Sequence, residues 1–582
     1  MSNPNSWSAR QTRAMHRVHA RLSTLARPVT AFTSTPEPRT IGSFAKGRQL
    51  MAGNFLFAGH LVSAPDTSIW DISCPDAVFE QELHGFSWLD DLASVGGSET
   101  RQRAQDWLWD WIDYFGQGTG PGWTPDLTGR RLIRWINHGI FLLRAQDKRH
   151  SDAFYRSLAQ QTIFLGRRWH KTSPGLPRFE ALTGLIYAGL ALEGMERHVD
   201  PAVAALAREC KAQVDEQGGI PTRNPEELLE VFTLLTWAAA ALSDADHPAR
   251  DEHLAAIERI APTLRTLRHS DGGLARFHGG GRGLEGRLDH ALAASNVKSR
   301  QADGLSMGYA RLSAGRTSVI VDAAVPPRGD ASINAHASTL AFELTSGRRP
   351  VIVNCGSGAS FGEEWRRAGR ATPSHSTISL DGYSSARLGA AGRGAGWRDQ
   401  QLVDAPKEVP IQMSQAPDGI RFQGGHDGFI RTHGLTHART LELTFDGRGM
   451  AGEDLLVSLE DADKRAFDKA LALKGGLGIP FQARFHLHPE TDAVLDMGGA
   501  AISVALKSGE IWVFRHDGSA ELALEPSVYL EKGRLKPRAT KQIVLSGVAM
   551  EYATRIRWSL AKAQESNVAI RDLNRDELDL TH

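Results

Sequence analysis

Cysteine is scarce in this sequence: Cys74, Cys210 and Cys355 are the only three in 582 residues. They lack the spacing of a metal knuckle and could close at most one disulfide, which excludes a zinc finger or a disulfide scaffold as the basis of the fold. Net charge is missing too. Lys plus Arg and Asp plus Glu each total 67, a formal balance of +0, whereas a chain built to bind nucleic acid carries a basic excess; nucleic acid is not an expected partner. No uncharged apolar run reaches the ~18 residues of a membrane-crossing helix, so no integral membrane segment is expected. The opening stretch MSNPNSWSARQTRAMHRVHARLSTL is basic and has no signal-peptide core. A cytoplasmic location is expected, with the periplasm as the alternative. This stretch reads as a surface helix rather than a membrane-surface one, because along the sequence its basic residues are not opposed by a clean apolar face.

The length exceeds the ~250 to 300 residues that one core supports, so at least two domains are expected. From about Phe86 to Leu267 apolar residues recur at helical spacing, as in RQRAQDWLWDWIDYF, RRLIRWINHGIFLLRAQ and PEELLEVFTLLTWAAAAL. Gly and Pro signals such as TSPGLP separate these runs, and helix follows helix. After SDGGLARFHGGGRGLEG the period changes to short β-branched runs between turns, including SMGYARLSAGRTSVIVDAAV, STLAFELTSGRRPVIVNCG and HARTLELTFDGRGMAGEDLLVSL. Many such strands in succession predict antiparallel layered sheets. The expected divisions are a lead-in at 1–85, a helical domain at 86–286 and a β domain at 287–582, with the Gly-rich segment 270–286 as the hinge. A phosphate loop is not read there, because no strand leads in and no Lys-Ser/Thr helix follows.

The order of these features resembles the heparinase II/III family of polysaccharide lyases and lyase-like proteins. The resemblance runs from GNFLFAGH and LHGFSWLDDLA through GGIPTRNPEELLEV and DGGLARFHGGG to INAHASTLAFELTSGRRPVIVNCGSG and RATPSHSTISLDG. It implies an α+β multidomain fold, an N-terminal incomplete α/α toroid followed by an antiparallel β-sandwich. It also implies β-elimination at a uronate-containing polysaccharide such as a glycosaminoglycan. That chemistry needs cationic or hydrogen-bonding groups on the carboxylate, a base for the C5 proton and an acid for the leaving oxygen.

Carried over position by position, the resemblance points to His336 in NAHAS as a metal-ligand histidine, with Asn334 where a proton-transfer histidine would stand and Ser338 in place of an aspartate. His375 in SHSTISLDG and Asn354 in VIVNCG complete a degenerate Zn²⁺ site, weakened because an amide replaces a carboxylate. The loop that holds a catalytic tyrosine in the lyases reads PTRNPEE here, offering Arg223 and Asn224. The helix expected to carry a carboxylate-binding asparagine offers Arg178 and Glu180. The candidate catalytic residues are thus His336, His375, Arg370 and Tyr383. Candidate substrate-binding residues are Arg178, Arg223, Asn224, Asn334, Arg367 and Trp123, whose loop GPGWTPD would let its ring stack on a sugar. The expected partner is an acidic oligosaccharide or polysaccharide, and the expected function is lyase-like β-elimination with an atypical residue set. A noncatalytic anionic-glycan binding protein on the same scaffold is the alternative. The other tryptophans of the helical half and Tyr187 read as core, and Cys355 has no evident base for nucleophilic work.

Overall fold

A computed structural model describes residues 7–25, 29–34, 38–298, 304–380, 382–390 and 397–563. Residues 1–6 and 564–582, which the sequence reading assigns to the lead-in and the β domain, lie outside the described residues.

The N-terminal half is helical. Its central helix, Leu176–Ala191, packs against Pro125–Asn137, Val199–Gln213 and Pro225–Asp244, and Asp251–Thr266 packs on the last two of these. Leu176–Ala191 is apolar on every side (LPRFEALTGLIYAGLA) and almost wholly buried, as expected of a helix with neighbours all round. The lead-in shares this core: Phe55 and Phe79 are buried in it, together with Trp88, Trp111 and Trp135.

Two antiparallel sheets form the second half. One runs edge to edge through Ile411–Ala416, Gly419–Phe429, Leu435–Thr444, Gly449–Val457, Ala553–Lys562, Ile511–His516, Ala501–Leu506 and Thr491–Asp496. The other runs through Glu521–Tyr529, Arg538–Ala549, Ile479–Leu487, Arg349–Val353, Phe342–Ser346, Thr317–Asp322 and Tyr309–Ala314, with Ile378–Leu380 also paired to Ile479–Leu487. One apolar core lies between them, where Phe342 of the second sheet stacks on Trp558 of the first at 5.8 Å. A helix, Asp461–Leu473, interrupts the strands.

Strand burial shows which sheet faces the helices. Leu435–Thr444 alternates buried and half-buried positions, the mark of a strand with one covered face. Thr317–Asp322 and Phe342–Ser346 are buried at every position, because one face packs into the sandwich and the other against the helical body. Tyr309, Ile320 and Ala341 accordingly belong to the helical core. The Gly-rich segment expected as a hinge is packed at this junction, with Leu274, Ala275 and Phe277 fully buried and His278 at 1% exposure. Its glycines serve close approach: a Cβ on Gly280 would lie 2.4 Å from Asn224 Oδ1, and Gly279, at φ +85°, would meet Asn334 at 3.1 Å.

Candidate functional site

The junction brings many of the candidate residues together and binds most of them to the protein itself. Arg223 sits at φ 50° in the turn before helix Pro225–Asp244 and sends its side chain into the sandwich. Its guanidinium donates to Asp322 Oδ1 at 2.6 Å, to Gly308 O at 2.8 Å, to Val325 O at 2.9 Å, to Met307 O at 3.1 Å and to Ala324 O at 3.2 Å. It also lies 4.7 Å over the Tyr309 ring, whose hydroxyl donates back to Arg223 O. Burial alone would raise the Asp322 carboxyl; Arg223 and His278 outweigh it and hold the group below the usual carboxylate range. The sequence reading placed Arg223 on a substrate anion. Its anion is Asp322, and the pair joins the helical body to the sheet.

Asn224 is the N-cap of the same helix. Its Oδ1 accepts from the backbone N–H of Glu226 at 3.0 Å and Glu227 at 3.2 Å, and Pro225 takes the first helical position. Its expected substrate contact is replaced by this cap. The first turn of the helix is acidic. Glu226 Oε2 accepts from Gly281 N–H at 2.9 Å and Lys532 Nζ at 2.7 Å, and burial pushes the Glu227 carboxyl up to about 6. This sign is opposite to what an anionic sugar requires.

His336 and His375 meet as a buried pair. His375 Nδ1 lies 2.9 Å from Ala371 O, which makes Nδ1 its donor and leaves Nε2 as an acceptor. His336 Nδ1, 3.0 Å from that Nε2, must then carry the proton, and His336 Nε2 keeps a lone pair with no partner among the described residues. The His336 backbone N–H donates to His278 Nδ1 at 3.1 Å, so the His278 proton sits on Nε2, 3.4 Å from Asp322 Oδ2. Burial is the main cause that lowers these histidines: His375 to about 4, His278 to about 3 and His336 well below its ordinary 6.5. All three are neutral at pH 7. Ser338, in the position of the family's aspartate, donates to Asp322 Oδ2 at 2.6 Å.

Two arginines clamp the turn that carries His336. Arg370 donates to Ala335 O, Gln400 O and Ser332 O, each at 2.8 Å. Burial without a counter-charge lowers it to about 9. Arg366 donates to Ile333 O at 2.7 Å, Arg398 O at 3.0 Å and Asn334 Oδ1 at 3.3 Å. Arg370 thus positions a turn, which corrects its expected catalytic role, and Asn334 is held by Arg366 at the exposed end of that turn.

The residues expected to hold Zn²⁺ do not fit it. Asn354 Oδ1 accepts from Ser376 N–H at 3.0 Å, and its Nδ2, a donor, is buried without a partner. No group of three His, Cys, Asp or Glu able to hold a metal occurs among the described residues. Two neutral imidazoles and an amide whose oxygen already accepts from Ser376 N–H supply no anionic donor.

Four candidates lie apart from this cluster. Arg178 donates to Glu209 Oε2 at 3.0 Å and Thr172 O at 2.7 Å, both within the helical body. Trp123 is 3% exposed and donates through Nε1 to Phe115 O at 2.9 Å, so it is core rather than a sugar platform. Tyr383 is exposed and its ring meets His433 at 4.7 Å, not the histidine pair. Arg367 is exposed on helix Glu363–Gly369. Cys355 does have a histidine beside it, with Sγ 3.5 Å from His486 Nδ1. Burial pushes that thiol up to about 11 and His486 down to about 3, the reverse of an activated Cys–His pair. Sequence reasoning missed His278, Asp322 and Arg366. A histidine inside a Gly-rich run and an aspartate closing the apolar strand SVIVD were the available signals.

The helical body, the double sheet and the polar junction between them define the protein as one of polysaccharide-lyase architecture. Residues 296–559 match the family model "Heparinase II/III-like, C-terminal". The chain is 30% identical over 546 residues to FtsZ-localized protein C of Caulobacter vibrioides, covering 93% of this chain and 92% of that one. It therefore belongs to the heparinase II/III-like family. Among solved structures, heparinase III superposes with a TM-score of 0.64 at 13% identity, over 96% of this chain and 92% of that one. A heparan sulfate lyase HepC mutant from Pedobacter heparinus gives 0.57 at 13% identity, again over 96% and 92%. Likeness at that identity establishes the fold alone.

Proposed function

We propose that this chain is a noncatalytic member of the lyase family, a binding protein for acidic glycan segments that works in the cytoplasm. One observation carries the reading: the groups that β-elimination needs free are engaged inside the protein. Arg223 is spent on Asp322 and four carbonyls, Arg370 on three carbonyls, and His375 uses both ring nitrogens. Exposed Asn334, Arg367 and Tyr383 are the candidates left to meet a glycan from outside. The relative named for its localisation with FtsZ supports a role in recruitment rather than in polymer breakdown.

The lone pair on His336 Nε2 favours a second reading, β-elimination with a rearranged acid and base. A base whose proton affinity burial has driven well below the ordinary histidine value is poorly matched to removing a C5 proton at neutral pH. Incubation with a panel of uronate oligosaccharides, read by near-ultraviolet absorbance of the unsaturated product, tests both. The proposal expects no product, with glycan retention weakened by Arg367→Ala. Product that disappears in His336→Ala would establish the lyase instead.

A further inference from the structure

The helix Trp7–Ser23 is docked by one face only. His16, Ala20 and Ser23 are buried on that side. His16 Nδ1 accepts from Arg168 Nε at 3.1 Å, its ring meets Phe164 edge-on at 5.9 Å, and the helix packs against Lys148–Arg168. On the side turned outward, Trp7 is 79% exposed, Met15 38%, Val18 47% and Leu22 47%, and Leu25, just past the helix end, is 82% exposed. At 100° per residue these five side chains fall within an arc of roughly 80°. Arg10, Arg13, Arg17 and Arg21 line one flank of that arc, and the helix sequence WSARQTRAMHRVHARLS contains no acid. The first acidic residue of the chain is Glu37. In a chain of formal charge +0 this is a local concentration. Along the sequence the arginines look unopposed; the helical geometry sets an apolar stripe beside them and turns both away from the body.

We infer that Trp7–Leu25 is an amphipathic anchor that lies in the plane of an anionic lipid surface. The stripe enters the headgroup boundary, the arginine row meets lipid phosphates, and the docked face fixes the orientation of the whole protein against the bilayer. Charge selects this occupant over a second copy, because two such stripes face to face would bring arginine rows together with no acid in either helix to neutralise them. Among the described residues no helix is long and apolar enough to cross a membrane, so the contact is surface attachment.

Flotation of the full chain with phosphatidylcholine vesicles, with and without phosphatidylglycerol, tests the assignment. The protein should float with the anionic vesicles, less so as salt rises. Partition should weaken roughly fivefold for each arginine removed in Arg13→Gln and Arg17→Gln. Val18→Glu with Leu22→Glu should abolish flotation while leaving the melting temperature at the parent value, since neither side chain is buried. Equal flotation on neutral vesicles, no flotation on either, or parent-like flotation of the double variant would overturn the anchor. Self-association without lipid that the same double variant removes would assign the stripe to a second copy and overturn it as well.

Discussion

Replacing Arg223 with methionine separates a structural arginine from a substrate-binding one. The change removes the 2.6 Å ion pair to Asp322, a carboxylate with no solvent exposure, and withdraws donors from Met307 O, Ala324 O and Val325 O. Gly308 O retains one partner, the Ala323 N–H. Breaking one side of a buried ion pair leaves the other charge uncompensated, at a cost of about 3–5 kcal/mol. At roughly 2–4 °C per kcal/mol for a body of this size, the melting temperature should fall by roughly 6–20 °C. Adding Asp322→Asn to the variant removes the orphaned charge and should recover part of the loss. Calorimetry on the parent, both single variants and the double variant measures this. An arginine held free for a glycan carboxylate would behave differently, with a stability change within about 0.5 kcal/mol and loss of ligand only. If Arg223→Met melts within roughly 2 °C of the parent, or if the second change restores nothing, the junction argument fails.

Acid should weaken the fold through its buried histidines, against an opposite contribution from Glu227, whose carboxyl, raised to about 6, takes up its proton in the folded state first. His375 at about 4, with His278 and His486 at about 3, binds protons less readily in the folded state than at the unfolded value of about 6.5. The unfolded chain therefore takes up more protons below that value, so their stabilising contribution is complete above about pH 6.5 and is lost as pH falls toward 4. A melting temperature flat between those limits would contradict the burial of these histidines. Trp123→Ala should cost about 3–5 kcal/mol and lower the melting temperature of the helical body while glycan binding persists; unchanged melting with lost sugar binding would restore Trp123 as a stacking platform. Because Asn354 supplies no anionic donor, EDTA should leave the melting curve where it was and added Zn²⁺ should raise nothing; a drop on chelation would show a resident metal.

The histidine pair shows why buried polar sites are hard to read from a chain. His336 and His375 lie 39 residues apart, and nothing in NAHAS or SHSTI says which ring nitrogen carries the proton. Ala371 O determines that, reaching His375 across the turn Thr372–Ser374, while Arg370 and Arg366 hold the other turn, the one that carries His336. The N-cap at Asn224 was closer to the surface of the sequence, because Pro225 follows it and Glu226 and Glu227 come next. The helix Asp461–Leu473 was also signalled, by Glu460 and Asp463 closing a capping box, and passed unread among strands.

Periodicity by itself determined the two halves of this protein and their order, because a 3.6-residue repeat and a 2-residue repeat bury different faces and cannot exchange roles. The motifs in sequence order sufficed for the family. Only the tertiary structure decided what the polar residues do. Whether an arginine meets a substrate or an aspartate depends on which groups the fold brings within hydrogen-bond distance, and Asp322 reaches Arg223 across 99 residues. The same holds at the N-terminus, where the docking of His16, Ala20 and Ser23 selects the face of the first helix that is left for a partner.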